Sequence, residues 1–217
     1  MYVPATPVPP PANPLAPIGI ASVAPPAMPI TVRTILRLRR SELNVLADGP
    51  ATITGTLLAG PEPVGLPGRM VALQALGRHG WSTLTRTRSG AGGRFRLRYV
   101  TRRVGSESVR LRFAGDGSEL ASHRRLGRLN VFRLAEASWY GGGGGMACGG
   151  SLTSSTMGVA NKTLPCGTLV TLRYDGHSVR VPVVDRGPYV AGREFDLTEA
   201  TKQALGFGDT GEVWSTS

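Results

Sequence analysis

The chain is 217 residues long, with 41% hydrophobic residues, 30 glycines, 17 prolines and a formal net charge of +11. That length allows one large or two small domains, each with its own core. The excess charge lies in one half: residues 31–134 carry 19 arginines and no lysine against 6 acidic residues, whereas residues 135–217 carry 6 basic and 8 acidic residues, which excludes the second half as the seat of any polyanion affinity.

Residues 1–30 are rich in proline, which interrupts every apolar run, and no basic stretch precedes those runs. Neither a signal peptide of the usual form nor a membrane span is expected there; an extended, polyproline-type spacer is. Residues 31–134 then read as seven strands, TILRLRR, ATITGTLLA, MVALQAL, WSTLTRTR, GRFRLRYV, SVRLRFAG and RLNVFR, separated by Gly-, Pro- and Asp-bearing turns. Short strands at this spacing predict an all-β sandwich. Arg94, Arg96, Arg98, Arg110 and Arg112 alternate with Phe95, Leu97, Tyr99, Leu111 and Phe113, the period of two of a strand with one solvated face. A basic solvent face accounts for this pattern, and retention on an anionic surface such as a cell-wall polymer is its functional counterpart. Nucleic acid is not expected, since zinc-finger spacing, RNP-type aromatic strands and a recognition-helix pattern are all missing. His79 and His123 are expected in turns, solvated.

The second half opens on EASWYGGGGGMACGG. Its five consecutive glycines are followed by neither Lys-Ser/Thr nor a helix, so a phosphate-cradling loop is not expected. Strands follow in GTLVTLRY, HSVRVPVV and GEVWSTS, together with one helix, TEATKQALG. That helix is predicted to start at Thr198 or Asp196, with Glu199 completing a capping box, and to stop at Gly206. His177 falls at a hairpin tip. Cys148 and Cys166 are the only cysteines and have no histidines nearby, which argues against a metal site. A disulfide between them would close one loop, add about 3 kcal/mol and point to an oxidising compartment. Two carboxylates, Asp185 and Asp196, stand eleven positions apart. They suit a general acid and base, and equally a turn organiser and a helix cap.

The ordered motifs ASWYG (137–141), ANKTLPCGTLV (160–170), VPVVDRGPYV (181–190) and FDLTEAT (195–201) resemble the rare lipoprotein A family of double-psi β-barrels and, more distantly, expansins and family-45 endoglucanases. Residues 31–134 resemble bacterial immunoglobulin-like modules. The first resemblance implies a six-stranded barrel whose open groove takes a linear polysaccharide, in bacteria the glycan strand of peptidoglycan. It further implies lytic transglycosylase chemistry, in which the bond from N-acetylmuramic acid to N-acetylglucosamine is broken, leaving a 1,6-anhydro end. On it Asp185 and Asp196 are the catalytic candidates. Tyr140, Asn161, Arg186 and Tyr189 are the substrate-binding candidates, and Cys148 with Cys166 is expected as a disulfide of an exported protein. Family members with this activity carry further Glu, Asp and His residues where this chain has Gly150, Thr153 and Asn161, and the endoglucanase base falls near Gly141. A non-catalytic, expansin-like glycan binder therefore stays open beside the enzyme.

The sequence thus predicts an all-β protein: a spacer (1–30), a basic immunoglobulin-like sandwich (31–134) and a double-psi β-barrel with one short helix (135–217). It is expected outside the cell or in the wall, with peptidoglycan as partner, and with no cofactor, metal or transmembrane segment.

Overall fold

A computed structural model describes residue 1 and residues 31–217. The expected proline-rich spacer lies outside the described residues. All seven strand runs expected before residue 134 are strands, because their alternating side chains give each one apolar and one polar face.

The first part of the chain builds two sheets. β1 (Thr34–Glu42), β2 (Asn44–Leu46), β3 (Ala51–Ala59), β4 (Val64–Gly65), β5 (Met70–Gly77), β6 (Gly80–Arg88), β7 (Arg94–Tyr99), β8 (Gly105–Phe113) and β9 (Ser122–Tyr140) follow in chain order. In one sheet β3 pairs antiparallel with β1, β4 and β7; in the other the order is β9-β8-β5-β6, with β2 lying parallel to β9. Leu36, Ile53, Leu57, Phe95 and Leu97 from the first sheet meet Val71, Leu73, Val109, Leu111 and Val131 from the second in one buried cluster. The sandwich is therefore held by burial between the two sheets. His123, expected in a turn, instead lies within β9, opposite Arg112 of β8, and is exposed. His79 is in the turn between β5 and β6.

The strand β9 does not end at the sandwich. Its first part pairs with β8, and Arg133–Tyr140 pairs with strands of the second part of the chain. The change in composition near residue 134 thus falls inside a strand. Arg133 reaches across with two hydrogen bonds to Glu194, at 2.9 and 2.5 Å, and the Phe132 and Trp214 rings meet at 5.8 Å.

After β9 come β10 (Gly144–Gly145) and β11 (Ser151–Leu152), a small hairpin. They are followed by β12 (Val159–Ala160), β13 (Leu169–Tyr174), β14 (His177–Asp185), β15 (Phe195–Thr198), α1 (Glu199–Leu205) and β16 (Thr210–Ser215). The order β9-β15-β12-β14-β13-β16 returns to β9, closing a six-stranded barrel without a free edge. Its core holds Ala135, Ala137, Val159, Val170, Leu172, Val181, Val183, Phe195, Leu197 and Val213, capped by Leu205 of α1 and Phe207. The helix stops at Gly206 in the left-handed region (φ 68°), as expected. Of the two expected starts, Thr198 is the N-cap residue, whereas Asp196 lies inside β15. The expected capping box of Asp196 with Glu199 does not form, because Asp196 is paired within β15 and accepts from Ser138; the Thr198 hydroxyl donates to the Gly158 carbonyl (3.0 Å), as does that of Thr201 (2.9 Å). Among the described residues no helix is long and apolar enough to cross a membrane.

Candidate functional site

Strand periodicity alone would bury Asp185. Val179, Val181 and Val183 alternate along β14 toward the core, and the next residue in that series is Asp185. The register with β12 shows why it is not buried: Val159 pairs with Val183, but Ala160 pairs with Asp185, so Val184 is an extra residue, a β-bulge. One inserted residue reverses the facing of everything after it. Asp185 is thereby moved to the outer face, beside Ala160. Bulge and strand fit because residue 158 is glycine; a Cβ there would stand 2.4 Å from a Val184 methyl.

Ala160 also pairs with Asp196 on its other side, and Asp196 with Ser138 of β9. Asp185, Ala160, Asp196 and Ser138 therefore form one row across four neighbouring strands. The two aspartates are two strands apart, about 9–10 Å between Cα atoms at the usual strand spacing. The two motifs are brought into one row by sheet register and not by their closeness in sequence.

Each carboxylate is held by one oxygen. Oδ1 of Asp185 accepts the backbone N–H of Ala147 and of Arg186, both at 2.8 Å. The Ser138 hydroxyl donates to Oδ1 of Asp196. Among the described residues neither Oδ2 has a protein donor, so each side chain is fixed in direction with one oxygen free. Tyr140, two residues beyond Ser138 and on its face, sends its hydroxyl to the same place. That hydroxyl is buried without a hydrogen-bond partner in bonding geometry. It nonetheless lies near enough to feel both aspartates: burial first, then the negative charge and hydrogen-bonding reach of Asp185, then the charge of Asp196, hold its pKa well above the usual tyrosine value. The phenol stays neutral, a donor facing two carboxylates.

The remaining expected site residues divide. Tyr189 is 82% exposed beside the aspartate row, its ring 3.9 Å from the Cβ position of Gly187, which in turn lies 3.9 Å from the Ala160 methyl. Arg186 points elsewhere: its guanidinium donates to the carbonyls of Asn161 (3.1 Å) and Leu164 (3.0 Å) and to Sγ of Cys166 (3.2 Å). Asn161 is 8% exposed; its Oδ1 accepts the N–H groups of Thr163 and Leu164, and its Nδ2 donates to the Glu194 carbonyl. Both side chains organise the 161–166 loop, and the bonds of Asn161 also tie it to Glu194. Cys148 and Cys166 are disulfide-bonded, as expected. The bond ties that loop to the segment whose Ala147 N–H holds Asp185.

Gly150, at φ +81°, belongs to the tight turn between β10 and β11, and Thr153 bonds to the hydroxyls of Ser155 and Thr156. Neither brings a carboxylate to the row. The place a side chain at Gly141 would fill is bounded by the Trp139 ring and by Oε2 of Glu199, 3.6 Å from that Cβ position. Trp139 itself is occupied, with Lys202 over its ring at 3.9 Å and its Nε1 donating to Asp209. Sequence reasoning missed Ser138; the period of two along ASWYG, which puts Ser138 and Tyr140 on one face, is the signal that finds it. Among the described residues no group of three or more His, Cys, Asp or Glu is placed to hold a metal ion.

Comparison with known proteins falls on this same segment. Residues 134–214 match the family model described as lytic transglycolase, a double-psi β-barrel domain. A probable endolytic peptidoglycan transglycosylase RlpA of Aquifex aeolicus is 44% identical over 75 residues, 32% of this chain and 33% of that protein. The endolytic peptidoglycan transglycosylase RlpA of Pseudomonas aeruginosa is 40% identical over 83 residues, 36% and 24% of the two chains. Among solved structures the Streptomyces papain inhibitor covers 39% of this chain and 90% of its own, at 24% identity and a TM-score of 0.33. The chain spans about a quarter to a third of the length of these two curated relatives. Residues 134–214, which form the closed six-stranded barrel, are therefore similar to the double-psi β-barrel domain described as lytic transglycolase.

Proposed function

We propose that the barrel acts on peptidoglycan glycan strands as a lytic transglycosylase, in the cell wall or outside the cell. The observation that carries this reading is the bulge-directed Asp185, fixed through Oδ1 with Oδ2 free. Its relatives' names and the family match support the substrate and the reaction. Asp185 delivers a proton from Oδ2 to the glycosidic oxygen as the C1–O bond breaks. The resulting carboxylate then takes the proton of the same sugar's 6-hydroxyl as O6 bonds to C1, which closes the 1,6-anhydro ring and restores the acid without water. Asp196, held by Ser138, stabilises positive charge developing at C1 from two strands away. The exposed Tyr189 ring stacks on a sugar, and the neutral Tyr140 phenol lies beneath the two carboxylates. Arg186 and Asn161 act through the loop they hold.

The sandwich is read as an immunoglobulin-like module, on the observation that β2 runs parallel to β9 at the end of a β9-β8-β5-β6 sheet facing β1-β3-β7. Its basic surface retains the protein on an anionic wall polymer. A second reading, an expansin-like glycan binder that loosens the wall, is favoured by one observation: Gly150, Thr153 and Asn161 bring no further acid, base or imidazole to the row. Incubation with purified peptidoglycan and mass spectrometry decides between them. Fragments with anhydro ends support the enzyme; pelleting with peptidoglycan without any such product refutes it in favour of the binder.

A further inference from the structure

The register of the first sheet sets arginines in two columns. Arg37, Thr56 and Arg94 form one cross-strand row, Arg40, Thr54 and Arg96 the next, and Glu42, Thr52 and Arg98 the third. A bulge between Leu38 and Arg40 brings Arg40 and Glu42 onto this face; strict alternation from Arg37 would have placed Arg39 and Ser41 there. The three threonines alternate with buried Ile53 and Leu57, so they form the floor of the outer face, and the five arginines are exposed along its sides. Arg40, Glu42, Thr52, Thr54 and Arg96 line a trough of about 420 Å³.

None of the five arginines is in an ion pair among the described residues, and residues 1–30 contain no acidic side chain to supply one. The guanidinium groups are available to a ligand, as exposed cations at fixed spacing. Rows repeat about every 6.8 Å along the strands, and the arginine columns stand about 9–10 Å apart across β3.

We infer that this face of β1, β3 and β7 is a binding strip for a linear polyol phosphodiester, lying along β3 with its phosphates between the arginine columns. Six backbone bonds separate successive phosphorus atoms in a three-carbon polyol phosphate, twice the three bonds that span about 3.5 Å in an extended peptide, so its repeat is about 7 Å. That matches the row spacing. Each arginine fork takes a phosphate bidentately, and threonine hydroxyls suit the hydroxyls of a polyol. Single-stranded nucleic acid fits less well, because its non-specific sites add aromatic platforms for the bases and this strip has none. Glu42 is the one opposing charge and weakens binding at its end. The inference rests on the wall-directed reading above only for where such a polymer is met.

The test uses the full chain and defined polymers, with no cleavage readout, so the transglycosylase reading can fail without it and the reverse. Fluorescence anisotropy with labelled poly(glycerol phosphate) should show binding whose log K falls against log salt with a slope of about −3.5 for five contacts, a loss of about 100-fold between 50 and 200 mM. Replacing Arg94, Arg96 and Arg98 together by serine should weaken binding at least about tenfold and lower the slope by about 2. Glu42→Gln should tighten it. The control replaces Arg86, Arg112 and Arg125 of the other sheet by serine, removing the same charge, and should leave the slope nearly unchanged. An equal loss in both triple variants, tighter binding to a single-stranded oligodeoxynucleotide or to polyglutamate of equal charge, or the absence of binding at 50 mM salt would each overturn the inference.

Discussion

Replacing Asp185 by asparagine and by alanine separates its chemistry from its architecture. Oδ1 accepts two backbone N–H groups at 2.8 Å, one from Ala147 and one from Arg186. Asparagine keeps that acceptor and substitutes an amide for the free Oδ2, so the turn survives while proton transfer is lost. Alanine loses both bonds and leaves two donors to find water. At about 1 kcal/mol per partly exposed bond the alanine variant is less stable by about 2 kcal/mol. For a chain of this size that is a fall in Tm of about 4–8 °C. Asp185→Asn should melt within about 1 °C of wild type, its cost confined to the lost charge. In a sacculus digestion followed by mass spectrometry of anhydro-ended fragments, both variants should fall at least about a hundredfold in rate, the usual contribution of a positioned acid or base. An asparagine variant that keeps more than a tenth of the wild-type rate refutes the acid/base role. One that melts as low as the alanine variant refutes the hydrogen-bond account of the turn.

Removing the disulfide as Cys148→Ser with Cys166→Ser opens an 18-residue separation, and should cost about 3 kcal/mol on the chain-entropy model, read as a Tm fall of about 6–12 °C in differential scanning calorimetry. Tyr140→Phe removes a buried hydroxyl that has no partner, so the variant should be as stable as wild type or more so at pH 7 by chemical denaturation. Because the folded-state pKa of Tyr140 is raised, the stability tied to its neutral form is complete below the ordinary tyrosine pKa, near 10, and is lost as pH climbs through the folded value. Ultraviolet titration should accordingly show one of the five tyrosines ionising after the others, and Tyr140→Phe should abolish that late step. Ser138→Ala takes away the donor to Asp196; a bond to a charged group is worth about 1.5–3 kcal/mol, and glycan cleavage should slow without loss of peptidoglycan binding in a pelleting assay.

Much of the barrel was legible because its motifs are long and ordered, and the strands before it because period-two alternation is a direct reading of two faces. Three features were hidden, each for a physical reason. The bulge at Val184 is a matter of register between strands far apart in sequence, and nothing in VPVVDRGP marks which residue is left unpaired. Asp196 looked like a helix cap because an aspartate a few residues before a helical pattern satisfies the local rule; three more residues of strand pairing with Val159, Ala160 and β9 override it. Arg186 and Asn161 were expected in the groove because their motifs resemble those of a groove-bearing family. The loop between them offered backbone carbonyls and N–H groups that otherwise lacked partners, and both side chains turned to those.

The nineteen-residue strand β9 also has a mechanical meaning. A tether of glycine and serine would let a barrel wander from its neighbouring sandwich, but here a single extended segment, hydrogen-bonded on its flanks, passes from the β9-β8-β5-β6 sheet to the barrel with no slack between them. If, as proposed above, the arginine-bearing sheet that packs against the sheet of β9 is seated on a wall polymer, the orientation of the aspartate row is set with it. A pull on a bound glycan would be transmitted along the backbone of β9 into the sandwich, shearing its ladder with β8 instead of stretching a linker. The protein is in this sense a fixed-jaw tool whose reach is set by the length of one strand.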